Sequence, residues 1–268
     1  MISQADDFKA ECDALYALLA PLAETDFDRV TQFKGWTIND VLEHLHLWNW
    51  AANESMADET SFMAYIQKMM SPDLGEGPLK ERERHFLDGS KGHALLEKWH
   101  VFYLEFAARF RAADPKQRLK WAGPDMSARS SITARLMETW AHSQAVYDVL
   151  GVQRQEKDHI QNIVVLGVNT YGWTYKVRGT TPPGPMPYLT LTAPSGEIWT
   201  FGEASEQECI TGDAVDFCRV VTQVRNIADT SLEVVGTTAT DWMSKAQCFA
   251  GAAEAPPARG SRHIARAG

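Results

Sequence analysis

The chain contains 268 residues, of which 44% are hydrophobic and 23% are charged, and this composition excludes the disordered and fibrous classes of protein. Its 26 Lys and Arg against 35 Asp and Glu give a formal net charge of −9, which has the wrong sign for binding nucleic acid phosphates or an anionic membrane surface. We therefore expect a globular protein with a sizeable core and with neither nucleic acid nor membrane as a partner.

Cysteine usage and the N-terminal sequence predict a cytoplasmic protein. The four cysteines form no C-x-x-C pair and no dense framework, which is typical of a reducing compartment. Charged residues precede the first apolar stretch, so the N-terminus does not resemble a cleavable signal. No apolar run approaches the roughly 18 residues of a membrane span.

Apolar spacing in the first half of the chain predicts a four-helix bundle. Thr37 and Asp40 form a near capping box at the start of the second helix, and Gly151 is a natural residue to end the last one. Gly89 and Gly92 make a break in the third long helix plausible. The predicted long helices are 3–20, 37–57, 78–113 and 128–150, and a shorter helical piece is expected over 60–70.

The second half of the chain changes character. Two short apolar segments separated by Pro194-Ser195-Gly196 predict a β-hairpin. Helices are expected over 157–177, 213–225 and 241–249, and strands over 188–192, 198–201 and 231–235. We therefore predict an α+β fold with a four-helix bundle over 1–153, a smaller α+β C-terminal domain over 154–250 and a flexible tail over 251–268.

Glu138 and His142 are the first candidates for a functional site. They are four residues apart in the clearest helix, so both side chains project from one face, although many Glu–His pairs at this spacing are plain surface pairs. A metal site needs a third ligand, and the second helix offers His44 and His46. These two lie on opposite flanks of its apolar stripe, so periodicity does not choose between them.

Two segments resemble a known family. Gly35–Leu45 resembles the G-W-T/S-x-x-D-V-x-x-H-L signature of the DinB-like metalloenzyme superfamily, in its mycothiol-dependent maleylpyruvate isomerase-like branch. Ala134–His142 is similar to the E-x-x-x-H helix of that branch. The resemblance implies a DinB-like four-helix bundle that binds one divalent ion, usually zinc, through His44, Glu138 and His142.

The resemblance continues into the C-terminal half. Gly212–Phe217 and Arg225–Gly236 are similar to the smaller C-terminal domain of the family, and Ala246–Gly251 is similar to the end of a bacterial subgroup described as metal-binding. An Arg after the domain's helix is thought to reach the active site, and the resemblance assigns that role to Arg225. The subgroup usually has a second Arg where this chain has Val224.

Three functions follow from these residues. The leading hypothesis is a metal-dependent thiol transferase or isomerase, in which a low-molecular-weight thiol such as mycothiol adds to a small electrophilic organic acid whose carboxylate Arg225 orients. Two imidazoles and a carboxylate suit zinc and also accept Ni, Co or Fe. The second hypothesis is a hydrolase or hydratase that uses water, with His46 or Glu43 as its base. The third is a non-catalytic metal-binding or apolar-ligand-binding protein. We expect a small-molecule substrate and a monomer or homodimer.

Overall fold

The computed structural model describes residues 1–74 and 79–265. The predicted start of the third long helix at residue 78 lies outside the described residues. The helices are α1 (Gln4–Leu19), α2 (Ile38–Ala57), α3 (Glu59–Met69), α4 (Leu79–Phe86), α5 (Gly92–Ala112), α6 (Ala128–Leu150), α7 (Gln161–Asn169), α8 (Tyr171–Lys176), α9 (Ala214–Val221) and α10 (Thr237–Met243). The strands are β1 (Arg118–Leu119), β2 (Met126–Ser127), β3 (Tyr188–Thr192), β4 (Ile198–Phe201), β5 (Cys209–Asp213) and β6 (Glu233–Val235).

The chain has an α+β fold that divides into two compact units, Met1–Val149 and Leu150–Gly268. The first is helical apart from the short antiparallel pair of β1 and β2. The second combines a four-stranded sheet with short helices. Across the described ranges, each helix is either too short or too polar to cross a lipid bilayer.

The first unit is a helical bundle in which α1, α2, α5 and α6 are the four long helices. Apolar residues of α1, α2 and α5 face the interior in stripes, whereas the buried face of α6 mixes apolar residues with polar ones such as Ser131, Thr139 and Ser143. Large side chains fill the space between the helices. The core contains the fully buried Phe8, Leu42, Trp99, Tyr103, Phe106 and Trp140. Large aromatic rings therefore fill much of the interior of the bundle.

The start of α2 is fixed by the predicted capping box. The Thr37 hydroxyl accepts from the Asp40 N–H at 3.1 Å, and the Asp40 carboxylate accepts from the Thr37 N–H at 2.8 Å. The third long helix is divided into α4 and α5, at the break that Gly89 and Gly92 make plausible in the sequence. Gly89 and Gly92 have φ of 68° and 60°, in the left-handed region that interrupts a right-handed helix.

The sheet of the second unit has the strand order β4-β3-β5-β6. The predicted hairpin forms β3 and β4, which pair antiparallel, and β5 pairs parallel with β3. Leu189, Leu191 and Ile210 are fully buried, so one face of the sheet carries the core of this unit. The sequence did not predict β5, because its five residues include Thr211-Gly212-Asp213 and lack a clear strand alternation.

The last helix lies earlier than the predicted 241–249. Gly236 has φ of 97°, and the carboxylate of Glu208 accepts from the N–H groups of Thr238 and Ala239 at 3.1 and 2.9 Å. These N–H groups belong to the first turn of α10, so a side chain 30 residues upstream satisfies them. The sequence near 237 carries no cap of its own, which explains the displaced prediction.

Residues 251–265, which belong to the tail predicted over 251–268, lack regular secondary structure, and residues 266–268 lie outside the described residues. The Glu254 carbonyl accepts from Arg178 Nη2 at 2.6 Å, and the Pro257 carbonyl accepts from Asn226 Nδ2 at 2.8 Å. Arg262 donates to a backbone carbonyl of the same unit at 2.8 Å. Side-chain donors that are distant in sequence thus hold a segment that has no periodic apolar face.

Candidate metal centre

His44, Glu138 and His142 converge in the helical unit. One ligand atom from each of the three side chains lies within 4.8 Å of the other two. The Glu138 Oε2 atom is 3.1 Å from His142 Nε2 and 3.9 Å from His44 Nε2. Ligands about 2.1 Å from a tetrahedral zinc ion lie about 3.4 Å from one another. The donor set and its spacing therefore fit a divalent ion with small side-chain adjustments.

Local structure positions two of these side chains and helix packing positions the third. Glu138 and His142 are one turn apart on α6, so the helix itself places them side by side. His44 lies on α2, whose first turn is fixed by the Thr37 cap. The structure thus brings His44, and not His46, to the α6 pair, a choice that periodicity left open.

The charges of the three side chains depend on one another. Burial acts against a charged His44, but the carboxylates of Glu83 and Glu138 outweigh it and raise the pKa of His44 to about 9. Burial opposes ionisation of Glu138, yet its hydrogen bonds to the two histidines hold its pKa well below the usual range. Burial lowers the pKa of His142. At neutral pH the cluster therefore contains a carboxylate, a neutral His142 and a protonated His44. A metal ion binds the neutral form of His, so it would displace one proton from His44.

Aromatic rings of the loop before α2 line the site. The Trp36 ring stacks on His142 with a centroid distance of 5.6 Å and an interplanar angle of 5°. It also meets His44 edge-on at 5.2 Å, and Phe33 meets His142 edge-on at 4.9 Å. The side chains of His44 and His142 remain 12% exposed and that of Glu138 23% exposed. Aromatic rings therefore pack against the two histidines, and all three donor side chains remain partly accessible to solvent.

Two polar contacts beside the site could not be predicted from the sequence. Glu83, on α4, is fully buried and its Oε1 atom is 2.9 Å from His44 Nδ1. Arg135, one turn before Glu138 on α6, donates from Nε to Asn49 Oδ1 of α2 at 2.9 Å. Glu83 belongs to the run Lys-Glu-Arg-Glu-Arg-His, which indicates a solvated helix, so neither its burial nor its partner could be inferred from the sequence.

The other titratable side chains of α2 considered in the sequence lie elsewhere. His46 meets the Phe102 ring edge-on at 5.6 Å and lines a separate pocket with Trp50. Burial lowers the pKa of His46 to about 4. Glu43 lines a third cavity together with Arg84, and burial raises its pKa to about 8. Neither side chain belongs to the His44 cluster.

Arg225, the remaining predicted site residue, belongs to the second unit. It follows α9, its side chain is largely buried, and one guanidinium nitrogen donates to the Val224 carbonyl at 3.2 Å. Its backbone N–H donates to the carbonyl of Arg219 at 3.1 Å. These contacts fix the backbone at the end of α9, and the role of Arg225 toward a substrate stays a prediction.

Comparisons with known proteins agree with the geometry of the helical unit. Residues 8–147 match the family described as mycothiol maleylpyruvate isomerase N-terminal domain. Uncharacterised proteins from two strains of Mycobacterium tuberculosis are 35% identical over 254 residues, which cover 95% of this chain and 96% of each relative. The crystal structure of the mycothiol-dependent maleylpyruvate isomerase has a TM-score of 0.53 at 14% identity, covering 84% of this chain and 88% of that one. A mutant of that enzyme gives a TM-score of 0.52.

Proposed function

The chain belongs to the mycothiol maleylpyruvate isomerase family, and from that premise we propose that it is a metal-dependent enzyme that uses a low-molecular-weight thiol on a small electrophilic organic acid. The reaction is a transfer of the thiol to the acid or an isomerisation that the thiol assists. The single observation that carries the proposal is the convergence of His44, Glu138 and His142 within 4.8 Å.

The proposed ligands are the two imidazoles and the carboxylate of this cluster. Such a donor set suits zinc and also accepts Ni, Co or Fe, and three protein ligands leave a coordination position open. A divalent ion held there supplies Lewis acidity and lowers the pKa of thiols or water that bind to it. The Glu138 carboxylate lies 3.1 Å from His142 and 3.9 Å from His44, so its negative charge would offset part of the charge of a divalent ion bound by the cluster.

The surroundings of the cluster support chemistry with a thiol over chemistry with water. A hydrolase or hydratase needs a general base near the attacking water. The two candidates on α2, His46 and Glu43, line other cavities. A thiol bound to such an ion would lose its proton to solvent before it attacks, so the attack itself needs no base, and the Trp36 and Phe33 rings offer an apolar wall beside the cluster.

Arg225 is the proposed partner of the substrate carboxylate. Its guanidinium is planar and stays charged, so it can bind a carboxylate through two parallel hydrogen bonds. We further propose a monomer or homodimer in the cytoplasm, as the sequence predicts. The proposed metal centre does not depend on the role of Arg225, on the oligomeric state or on the cellular location.

The first experiment measures metal content. Protein purified without chelator is expected to contain one equivalent of a divalent metal, and His142→Ala is expected to lose it while keeping its helical circular dichroism. His100→Ala is the matched control, because His100 lies on α5 and stacks on Tyr16, away from the cluster. A His142→Ala protein that still retained one equivalent would contradict the ligand assignment.

The second experiment measures dependence on the thiol. Maleylpyruvate, the substrate in the family's name, is supplied with and without mycothiol, and turnover is expected only when both the thiol and the metal are present. Turnover that continues without thiol would instead support water as the nucleophile. Metal binding without turnover of this or related unsaturated acids would support the non-catalytic alternative.

A further inference from the structure

Glu83 is a fully buried carboxylate on α4, whose other charged side chains are exposed or half-buried. Burial of a carboxylate is costly unless partners compensate for the lost hydration. The hydrogen bonds of Glu83 should therefore indicate why the carboxylate is buried.

Both hydrogen bonds of Glu83 use one oxygen and lead to α2. Its Oε1 atom lies 2.9 Å from His44 Nδ1 and accepts from Trp48 Nε1 at 2.9 Å. His44 and Trp48 are four residues apart, so one face of α2 presents both donors to the same oxygen. Among the described residues, no group hydrogen-bonds the buried Oε2 atom. The interactions of the carboxylate are thus concentrated on His44 and on the indole beside it.

This contact determines which imidazole nitrogen is available to the cluster. A carboxylate only accepts hydrogen bonds, so Nδ1 of His44 must carry a proton. In the neutral ring the lone pair then lies on Nε2, the atom that faces Glu138 Oε2 at 3.9 Å. The tautomer that Glu83 selects is therefore the one that can bind an ion shared with Glu138 and His142.

We propose that Glu83 is a positioning residue that fixes the tautomer and the ring orientation of His44 for metal binding through Nε2, an inference that rests on the proposed function. Carboxylates that accept from the second nitrogen of a ligating His have this effect in metal sites generally. Trp48 acts with it, since its N–H holds the same oxygen in place.

The position of α4 maintains this arrangement. Arg84, the residue after Glu83, donates to Asp40 at 2.5 Å, and Lys80 lies 3.8 Å from the same carboxylate. Asp40 belongs to the capping box at the start of α2. The helix that carries Glu83 is thereby joined to the helix that carries His44 at a second point.

The test compares zinc affinities in the full-length protein. Zinc is titrated in competition with a chromophoric chelator into the unmodified protein, Glu83→Gln and the matched control Glu81→Gln, which changes an exposed carboxylate of the same helix. We expect Glu83→Gln to weaken zinc binding by about 10-fold to 100-fold and Glu81→Gln by less than about twofold. Unchanged affinity in a folded Glu83→Gln protein would overturn the inference and leave the metal site intact.

A second measurement needs no substitution at Glu83. In zinc-loaded protein with ¹⁵N-labelled histidine, NMR should show His44 protonated at Nδ1 and bound to the ion through Nε2. Binding through Nδ1 would overturn the inference even if Glu83→Gln failed to fold. If the proposed metal centre itself were wrong, the result would be different. The unmodified protein would then bind no zinc, and His142→Ala would not change zinc binding.

Discussion

Asp40 links the start of α2 to α4, and its replacement by Ala is expected to destabilise the helical unit more than replacement of its capping partner. The side chain of Asp40 is 1% exposed and makes two kinds of contact. It accepts from the Thr37 N–H at 2.8 Å and from Arg84 at 2.5 Å. The cap contributes about 1 kcal/mol. The Arg84 pair adds up to about 1 kcal/mol, since Arg84 is 47% exposed and solvent weakens the attraction.

Asp40→Ala should therefore cost about 2 kcal/mol, and Thr37→Ala about 1 kcal/mol, because Thr37→Ala removes one cap hydrogen bond and keeps the ion pair. Urea unfolding followed by far-UV circular dichroism measures both, with the two units fitted as separate transitions. Arg84→Ala is the control and should cost less than about 1 kcal/mol. Equal losses for Asp40→Ala and Thr37→Ala would refute a stabilising contribution from the Asp40–Arg84 pair.

Two further predictions concern other parts of the chain. Hydrogen bonds from Lys245 and Tyr175 lower the pKa of Asp241 below its ordinary value of 3.8, so its contribution to stability is present above that pH and is lost as the pH falls below it. The Asp241 side chain is 39% exposed, so solvent screens its ion pair with Lys245. Asp241→Asn should thus reduce the free energy of unfolding by less than about 1 kcal/mol near neutral pH, and urea unfolding in acid should show a smaller difference. Cys209 is half-buried whereas the other three cysteines are buried, so Ellman's reagent should modify one thiol rapidly and Cys209→Ser should abolish that phase. Rapid modification of further thiols would contradict this assignment.

The sequence predicts those parts of the fold that short-range interactions determine. The start of α2 follows from Thr37 and Asp40, which are three residues apart, and the hairpin follows from two alternating segments around one turn. The start of α10 instead depends on Glu208, and β5 exists because β3 accepts it as a parallel neighbour. Such long-range partners leave no periodic pattern in the sequence.

The candidate site also combines a short-range feature that the sequence predicts with long-range contacts that it does not. The spacing of Glu138 and His142 identifies them as neighbours, but it does not distinguish His44 from His46, because that choice depends on the position of α2 against α6. Glu83 contacts His44 across 39 residues, from a segment with the composition of a solvated helix. The family resemblance named His44 correctly as the neighbour of the α6 pair, whereas its role as a metal ligand stays a prediction.

The contact between Arg135 and Asn49 joins α6 to α2 beside the cluster. Since Glu138 and His142 share a single helical turn, the backbone fixes their mutual spacing, whereas the distance of His44 from the pair depends on how α2 packs against α6. Divalent cations differ in radius and in preferred coordination number. Replacement of Asn49 by Ala is therefore expected to change the order of affinities for Zn, Ni and Co while every coordinating atom remains the same, which competitive metal titration would measure.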